Sequence, residues 1–478
     1  MPQTPSPQIT HICCIGAGYV GGPTSAIISQ NCPSIKVTVV DTDAKRISAW
    51  NSPAALPIYE PGLEAIIRNQ LNINLFFSTD IDKAIAESQL IFIAVNTPPL
   101  EIIDTDCSGR RRGAGADLSA VMECAQRIAR VSTSSKIIVE KSTVPCGTSH
   151  EVGDILQKYA RSGVQFQVLS NPEFLSEGTA VRDLQHPDRV IIGSALQTAS
   201  EAQEHLKYIY KHWVPEDRII TMSQWSAELT KLASNALLAQ RVSSINSLSA
   251  LCESLGADIK EVARGCGADS RIGGDFLRAS LGFGGSCFHK DLSSLVWLCD
   301  SLRLTPVADY WHQVLLMNEF QTSRFAQRIL STINVRGARI ACLGFAFKEG
   351  TGDARNTPAT RVCRELLTAG ARLSVYDPKV PADHILSMLT EEAVESTAAN
   401  SARVDVGYNC VSVCSRALEA IEGAQAVVVL TAWPEFRCIN WEQALQTMPA
   451  LAHIFDGQAM LDHEYLQKLG FQVVSMGK

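Results

Sequence analysis

Residues 282–291 read Gly-Phe-Gly-Gly-Ser-Cys-Phe-His-Lys-Asp, which places Cys287 in a glycine-rich turn with Lys290 and Asp291 three and four residues beyond it. A thiolate gains reactivity beside cations and backbone N–H groups, and glycine lets a substrate approach the main chain. A nucleophile competes here with the commoner inert structural thiol. Further on the list of reactive groups stand Glu173 and Glu177, in Ser-Asn-Pro-Glu-Phe-Leu-Ser-Glu-Gly just after an apolar run. A carboxylate at a strand end suits a general base or, equally, a helix cap. Lys231 and Asn235 stand four apart, so on a helix they share a face and can offer two donors to a developing oxyanion. An exposed lysine on a helix surface is the ordinary alternative. Thr143, in Glu-Lys-Ser-Thr-Val-Pro, closes another apolar run and can hold a water or a carboxylate.

Gly16-Ala17-Gly18-Tyr19-Val20-Gly21 falls where a strand gives way to a helix. In this pattern the first glycine makes the turn, the second lets the backbone approach a pyrophosphate, and the third lets helix and strand pack closely. Asp41 ends the next strand, where its carboxylate can accept from an adenosine ribose. An acid there favours NAD over NADP, because it repels a 2′-phosphate; Arg46 partly offsets that preference.

These groups need elements to hold them. Short apolar strands are expected at 9–16, 36–40, 89–95, 136–140, 166–170 and 189–193, with helices between several of them, beginning with one from Pro23 to about Gln30. Such alternation implies an open parallel sheet covered on both faces. After Pro215 the pattern becomes helical and no strand is expected. One helix runs from about Gln224 to Leu255 with apolar residues at helical spacing, followed by helices at 258–265, 291–302 and 307–330. Alternation resumes with strands at 339–344, 372–376, 426–430, 453–456 and 471–474, giving a second sheet. The fold class is therefore α/β, with two Rossmann-like open parallel sheets joined by an all-helical middle containing one long helix. The expected divisions are a disordered lead at 1–8, a dinucleotide domain at 9–214, a helical domain at 215–328 and a second α/β domain at 329–478.

Composition narrows the function classes. A net charge of −7 argues against a general nucleic-acid or membrane surface, and no apolar run approaches a bilayer span. The N-terminus has neither a basic region nor an apolar run of the kind a signal peptide carries. Fifteen cysteines lack paired CxxC spacing, so no zinc site or disulfide framework is expected and a reducing cytoplasm is the simplest compartment.

Taken in order, the glycine motif at 16–22, Pro-Ile-Tyr-Glu-Pro-Gly-Leu at 57–63 and the segments around Thr143 and Glu173 form a recognisable set. It continues with Leu-Leu-Ala-Gln-Arg-Val-Ser-Ser-Ile-Asn-Ser at 237–247, the Cys287 decapeptide, Leu-Gly-Phe-Ala-Phe-Lys at 343–348 and Tyr-Asp-Pro-Lys-Val at 376–380. The chain thereby resembles the UDP-glucose/GDP-mannose dehydrogenase family from about residue 9 to the end, and within it the animal and fungal type that acts on UDP-glucose. The resemblance implies an NAD domain, a helical dimer core and a C-terminal domain holding the UDP-sugar. It also implies two-step oxidation of the 6-hydroxymethyl group with two NAD per turnover. Cys287 is then the nucleophile, Lys231, Asn235 and Asp291 surround the reacting carbon, and Glu173 and Thr143 serve hydrolysis.

NAD contacts are implied at Gly16, Ala17, Gly18, Tyr19, Val20, Gly21, Asp41, Arg46, Val95, Asn96, Thr97, Ser142, Thr143, Glu177, Lys290 and Arg355. Substrate contacts are implied at Glu173, Phe174, Leu175, Lys231, Asn235, Phe276, Arg278, Phe283, Gly284, Phe347, Lys348 and Gln458, with Arg271 reaching from a neighbouring subunit. A small-molecule nucleotide sugar is the expected partner, in a dimer-based homo-oligomer or a hexamer.

Three positions depart from the family pattern. Residues 96–101 read Asn-Thr-Pro-Pro-Leu-Glu where a Thr-Lys pair usually follows Asn-Thr-Pro, and the loop to residue 116 is longer and carries Arg110, Arg111 and Arg112. Arg278 stands for a lysine, and Gln458 for an arginine that binds the anionic side of the substrate. Two other readings follow: the same chemistry on UDP-N-acetylmannosamine, GDP-mannose or UDP-galactose, or a weakly active regulatory paralogue.

Overall fold

The computed structural model describes residues 9–52, 56–100, 113–195, 200–390 and 410–478. The expected lead at 1–8 and the arginine run Arg110–Arg112 lie outside the described residues. Two compact units emerge, one of residues 1–234 with 293–302 and the other of 235–292 with 303–478. The 32-residue helix Gln224–Leu255 and the helix Phe288–Ser301 each divide between them, so the helical middle is shared out.

The first unit is built on an eight-stranded sheet in the order β3-β2-β1-β4-β5-β6-β7-β8. Its strands are β1 His11–Ile15, β2 Lys36–Val40, β3 Leu75–Ser78, β4 Leu90–Ile93, β5 Lys136–Glu140, β6 Phe166–Ser170, β7 Val190–Ser194 and β8 Ile219–Ser223. Strands β1, β4 and β5 are buried along nearly their whole length because helices cover both faces, which is why they read as unbroken apolar runs.

Two expectations are corrected here. The sheet continues past Pro215: β8 pairs in parallel with β7, but its residues are mostly exposed and two of its five are Thr221 and Ser223, so it carried no strand-like apolar pattern. The sheet is also not wholly parallel. Strands β6 and β7 meet antiparallel through only Leu169↔Ser194 and Ser170↔Gly193. The chain between them, which holds the six-residue helix Ala180–Gln185, therefore enters β7 from the carboxyl end of β6 instead of crossing back.

In the second unit, β9 Arg339–Leu343, β10 Arg372–Tyr376, β11 Val411–Val413, β12 Ala426–Val429, β13 His453–Asp456 and β14 Gln472–Ser475 form a parallel sheet ordered β11-β10-β9-β12-β13-β14. This repeats the arrangement of the first six strands of the other sheet. In such an order the neighbours of the first strand leave in opposite directions, and the crevice at the carboxyl ends takes ligands.

One boundary bears directly on the chemistry. The helix expected to begin at Asp291 begins at Phe288, so Cys287 sits at its N-terminus and Asp291 in its first turn. The Asp291 N–H donates to the Cys287 carbonyl at 2.9 Å, closing that turn.

Candidate active site

In the first unit, the glycine motif crosses the carboxyl end of β1. Gly16 has φ +108°, and a Cβ there would stand 2.3 Å from the Ala94 carbonyl oxygen. A Cβ on Gly21 would stand 2.0 Å from the Gly16 oxygen, whereas one on Gly18 would meet nothing within 4 Å. Two glycines thus fold the loop and the third leaves open backbone, as a diphosphate requires. Asp41 follows β2; its carboxylate accepts from Ala17 N at 2.9 Å, from Asp43 N at 2.9 Å and from Arg46 at 3.1 Å. Arg46 is therefore engaged by the carboxylate it was expected to offset.

The neighbouring strand ends add Val95, Asn96 and Thr97 after β4 and Ser142 and Thr143 after β5. They are tied together where Thr97 Oγ1 donates to the Thr143 carbonyl at 2.7 Å and Ser142 N donates to Ile93 O at 3.1 Å. Tyr19 Oη accepts from Gly178 N at 3.2 Å, joining the motif to the segment that carries Glu177. Buried Glu60 joins them as well, accepting from Gly178 N and, at 3.0 Å, from Ala180 N. The described end of the long loop is packed, since a Cβ on Gly113 would meet the Ser293 carbonyl oxygen at 1.9 Å. This carboxyl edge fits NAD: open backbone stands at Gly18 and the Asp41 carboxylate follows β2 directly.

The same unit holds a buried ion pair. Lys231 Nζ lies 2.9 Å from Glu173 Oε1, with both side chains under a tenth exposed. Thr143 Oγ1 donates to Glu173 Oε1 at 3.4 Å, and Leu175 N donates to Glu173 Oε2 at 2.6 Å. Burial pushes Glu173 up, but the Lys231 charge and hydrogen bond, the Leu175 N–H and the Lys141 charge outweigh it and hold the carboxyl below its usual range. Phe174 flanks the pair, with Lys231 Nζ 5.4 Å and Arg189 4.0 Å from its ring centre.

In the second unit, Cys287 is exposed and its Sγ lies 3.6 Å from Ser286 Oγ. The turn before it is held from two sides. Asn318 accepts from Phe283 N at 2.8 Å and donates to Phe283 O at 3.0 Å, while Gly285 N donates to Arg355 O at 2.9 Å. A Cβ on Gly284 would meet Asn356 O at 2.6 Å, and one on Gly285 the Phe347 ring at 2.9 Å. The glycines here serve close packing against residues 347–356 as well as the turn. Buried Asp291 accepts from Asn235 Nδ2 at 2.6 Å and pairs with Lys290 Nζ at 3.1 Å.

Other expected substrate residues belong to this unit too. The Arg278 guanidinium donates to the Gln458 carbonyl at 3.1 Å, and the Gln458 side chain donates to Leu430 O at 2.6 Å. Gln458 thus lies beside the ends of β12 and β13, and Arg278 brings a cation to it. Lys348 Nζ stands 5.6 Å from the Phe347 ring centre. Phe276 is exposed with φ +60°, and Arg271 is exposed and paired with Asp269. Lys290 and Arg355 are bound to Asp291 and Asp353 of the same unit.

Several groups escaped the sequence reading: Lys141, Asn171 and Tyr210 in the first unit, and Asn318 and Asn356 in the second. Lys141 adjoins Ser142 in a recognised motif, but an internal lysine reads as a surface residue until its partners are known.

Models of the UDP-glucose/GDP-mannose dehydrogenase family match its NAD binding domain at residues 10–214, its central domain at 225–320 and its UDP binding domain at 341–463. The chain belongs to this family. It is 49% identical over 470 residues to the UDP-glucose 6-dehydrogenase of Drosophila melanogaster, covering 98% of this chain and 96% of the relative. UDP-glucose 6-dehydrogenase 1 of Oryza sativa subsp. japonica is 48% identical, with 98% and 97% covered. Among solved family structures, a UDP-glucose dehydrogenase from Pyrobaculum islandicum matches with a TM-score of 0.80 at 28% identity, covering 98% of this chain and 99% of that one. Among the described residues no helix is long and apolar enough to cross a membrane.

Proposed function

We propose that this chain oxidises the 6-hydroxymethyl group of UDP-glucose to a carboxylate in a reducing cytoplasm, as a dimer-based homo-oligomer. Near-half identity over 98% of the chain to relatives named for that substrate carries the choice of sugar. NAD, when bound along the first sheet, takes up a hydride twice per turnover. The chain's own groups do the rest. Lys231 and Asn235 donate to the oxygen that gains negative charge as the substrate is oxidised. The Cys287 thiolate, favoured by its place at a helix N-terminus, adds to the aldehyde and retains it as a thiohemiacetal, which becomes a thioester at the second oxidation. Glu173, kept ionised beside Lys231, takes a proton from a water held near Thr143; the water oxygen attacks the thioester, the C–S bond breaks and Cys287 leaves as thiolate. The net change consumes one water and two NAD, and releases the carboxylate, two NADH and three protons. Asp291 positions Asn235 by accepting its amide N–H.

Arg278 supports the anionic side of the substrate in place of a cation at Gln458. The test is to incubate the protein with NAD and a panel of nucleotide sugars and count NADH per sugar consumed. Two NADH from UDP-glucose supports the proposal. Turnover with UDP-N-acetylmannosamine, GDP-mannose or UDP-galactose alone replaces the substrate, and NAD binding without turnover points to the regulatory reading.

A further inference from the structure

Behind the Glu173–Lys231 pair lies a second lysine to which the reaction above gives no role. Lys141 follows β5 and is 4% exposed. Its Nζ donates to Asn171 Oδ1 at 3.1 Å and to Tyr210 Oη at 3.3 Å. The Tyr210 hydroxyl donates to the same Asn171 oxygen at 2.6 Å, and Asn171 Nδ2 is spent on Ile191 O at 2.7 Å. Asn171 also lies two residues before Glu173, and its own N–H donates to the Glu140 carbonyl. Strand ends β5 and β6 are thus clamped together, with an ammonium group set between them. Both of its polar partners are neutral. A charge so buried is costly unless another charge compensates it, and the compensation here comes from Glu173, which Lys141 stabilises in its ionised form.

Three titratable groups act electrostatically on Lys141: Glu173, Lys231 and Cys14. Glu173 attracts it and Lys231, on the long helix, repels it. Cys14 on β1 remains a thiol, pushed up by burial to about 12. Tyr210 is likewise held neutral, with its pKa raised by burial. Burial brings Lys141 itself down to about 8, so its charge is present at neutral pH and below, where a carboxylate base titrates.

We propose that Lys141 is a positioning residue for hydrolysis: it supplies a second cation behind Glu173, so that the base stays ionised when substrate and water exclusion raise the cost of its charge. The inference rests on the reading of Glu173 as the hydrolytic base. A merely structural Lys141 would lower stability or activity evenly across pH. A charge-setting Lys141 must move a titration.

The measurement is the pH profile of kcat for the full-length enzyme with UDP-glucose and NAD, comparing wild type, Lys141→Gln and Tyr210→Phe. Lys141→Gln keeps donors for Asn171 and Tyr210 but removes the charge. The acid limb of its profile should move measurably to higher pH, with kcat recovering toward wild type as pH rises further and KM for UDP-glucose little changed. Tyr210→Phe keeps the charge and should leave the limb in place. A folded Lys141→Gln protein with the wild-type limb overturns the proposal. Should Lys141→Gln fail to fold, Asn171→Asp puts an anion against the ammonium and should move the limb in the same direction; an unmoved limb there also overturns it. Wild type that forms no glucuronate would instead bring down the underlying reading.

Discussion

The buried pair of Lys231 and Glu173 gives a prediction whose size follows from its surroundings. Lys231→Met removes the cation 2.9 Å from a carboxylate that is 7% exposed. Removing one partner of a buried ion pair costs about 3–5 kcal/mol, because the other charge is left uncompensated. Glu173 would keep the Leu175 N–H, the Thr143 hydroxyl and the Lys141 charge, so the lower end of that range applies. For a unit of this size, about 3 kcal/mol corresponds to a fall in Tm on the order of 10 °C. The double variant Lys231→Met/Glu173→Leu removes both charges and fills their space with apolar atoms, so it should recover much of the loss. Calorimetry on the four proteins of this cycle measures the coupling. The pH dependence has a definite sign. Glu173 is held below its usual range, so its stabilisation is present above the ordinary carboxylate pKa and is lost as pH falls through the depressed value. In Lys231→Met that loss should begin at higher pH. A double variant melting at or below both single variants would refute the reasoning.

Two further predictions concern the first sheet. Gly21→Ala places a Cβ 2.0 Å from the Gly16 carbonyl oxygen, a backbone atom with nowhere to go, and should weaken NAD binding by roughly tenfold or more; titration calorimetry with NAD checks this. Glu140 is fully buried, and burial followed by the neighbouring Glu228 charge pushes it up to about 8, against hydrogen bonds from Ser142. The folded protein therefore keeps a proton there that the unfolded chain gives up above the ordinary carboxylate range, so this group makes stability fall as pH rises toward 8. Glu140→Gln should remove that slope and gain on wild type as pH rises from 5 to 8, as thermal melts across that range would show; an unchanged slope contradicts the assignment.

The parts of the fold that were legible share a physical cause. Strands β1, β4 and β5 are buried by helices on both faces, so burial wrote an apolar run into each, and the 32-residue helix was legible as a long stretch without proline or glycine. Strand β8 lacked that cause, because most of its side chains meet solvent. The antiparallel joint at β6–β7 rests on two residue pairs across a crossover and leaves no local trace. Glycine spacing identified the Gly16–Gly21 loop, since steric need is local. The start of the helix at Phe288 was hidden by the Gly-Gly-Ser stretch before it, and Asp291 reads as a helix-start acid although it already lies in the first turn. Lys141 illustrates the limit most clearly. Its meaning depends on Asn171 and Tyr210, 30 and 69 residues away, which only the folded chain brings to its ammonium.

The central claim is that oxidation passes through a covalent bond to Cys287. Glu173→Gln leaves the thiol and its helix intact while removing the base for hydrolysis, so substrate should collect on the enzyme. The decisive measurement is peptide mass spectrometry of Glu173→Gln protein quenched during turnover with UDP-glucose and NAD. The account predicts a uridine-diphospho-sugar adduct on the peptide carrying Cys287, and none in Cys287→Ser. Free glucuronate at the wild-type rate with Cys287 unmodified, or an adduct on another residue, would contradict it.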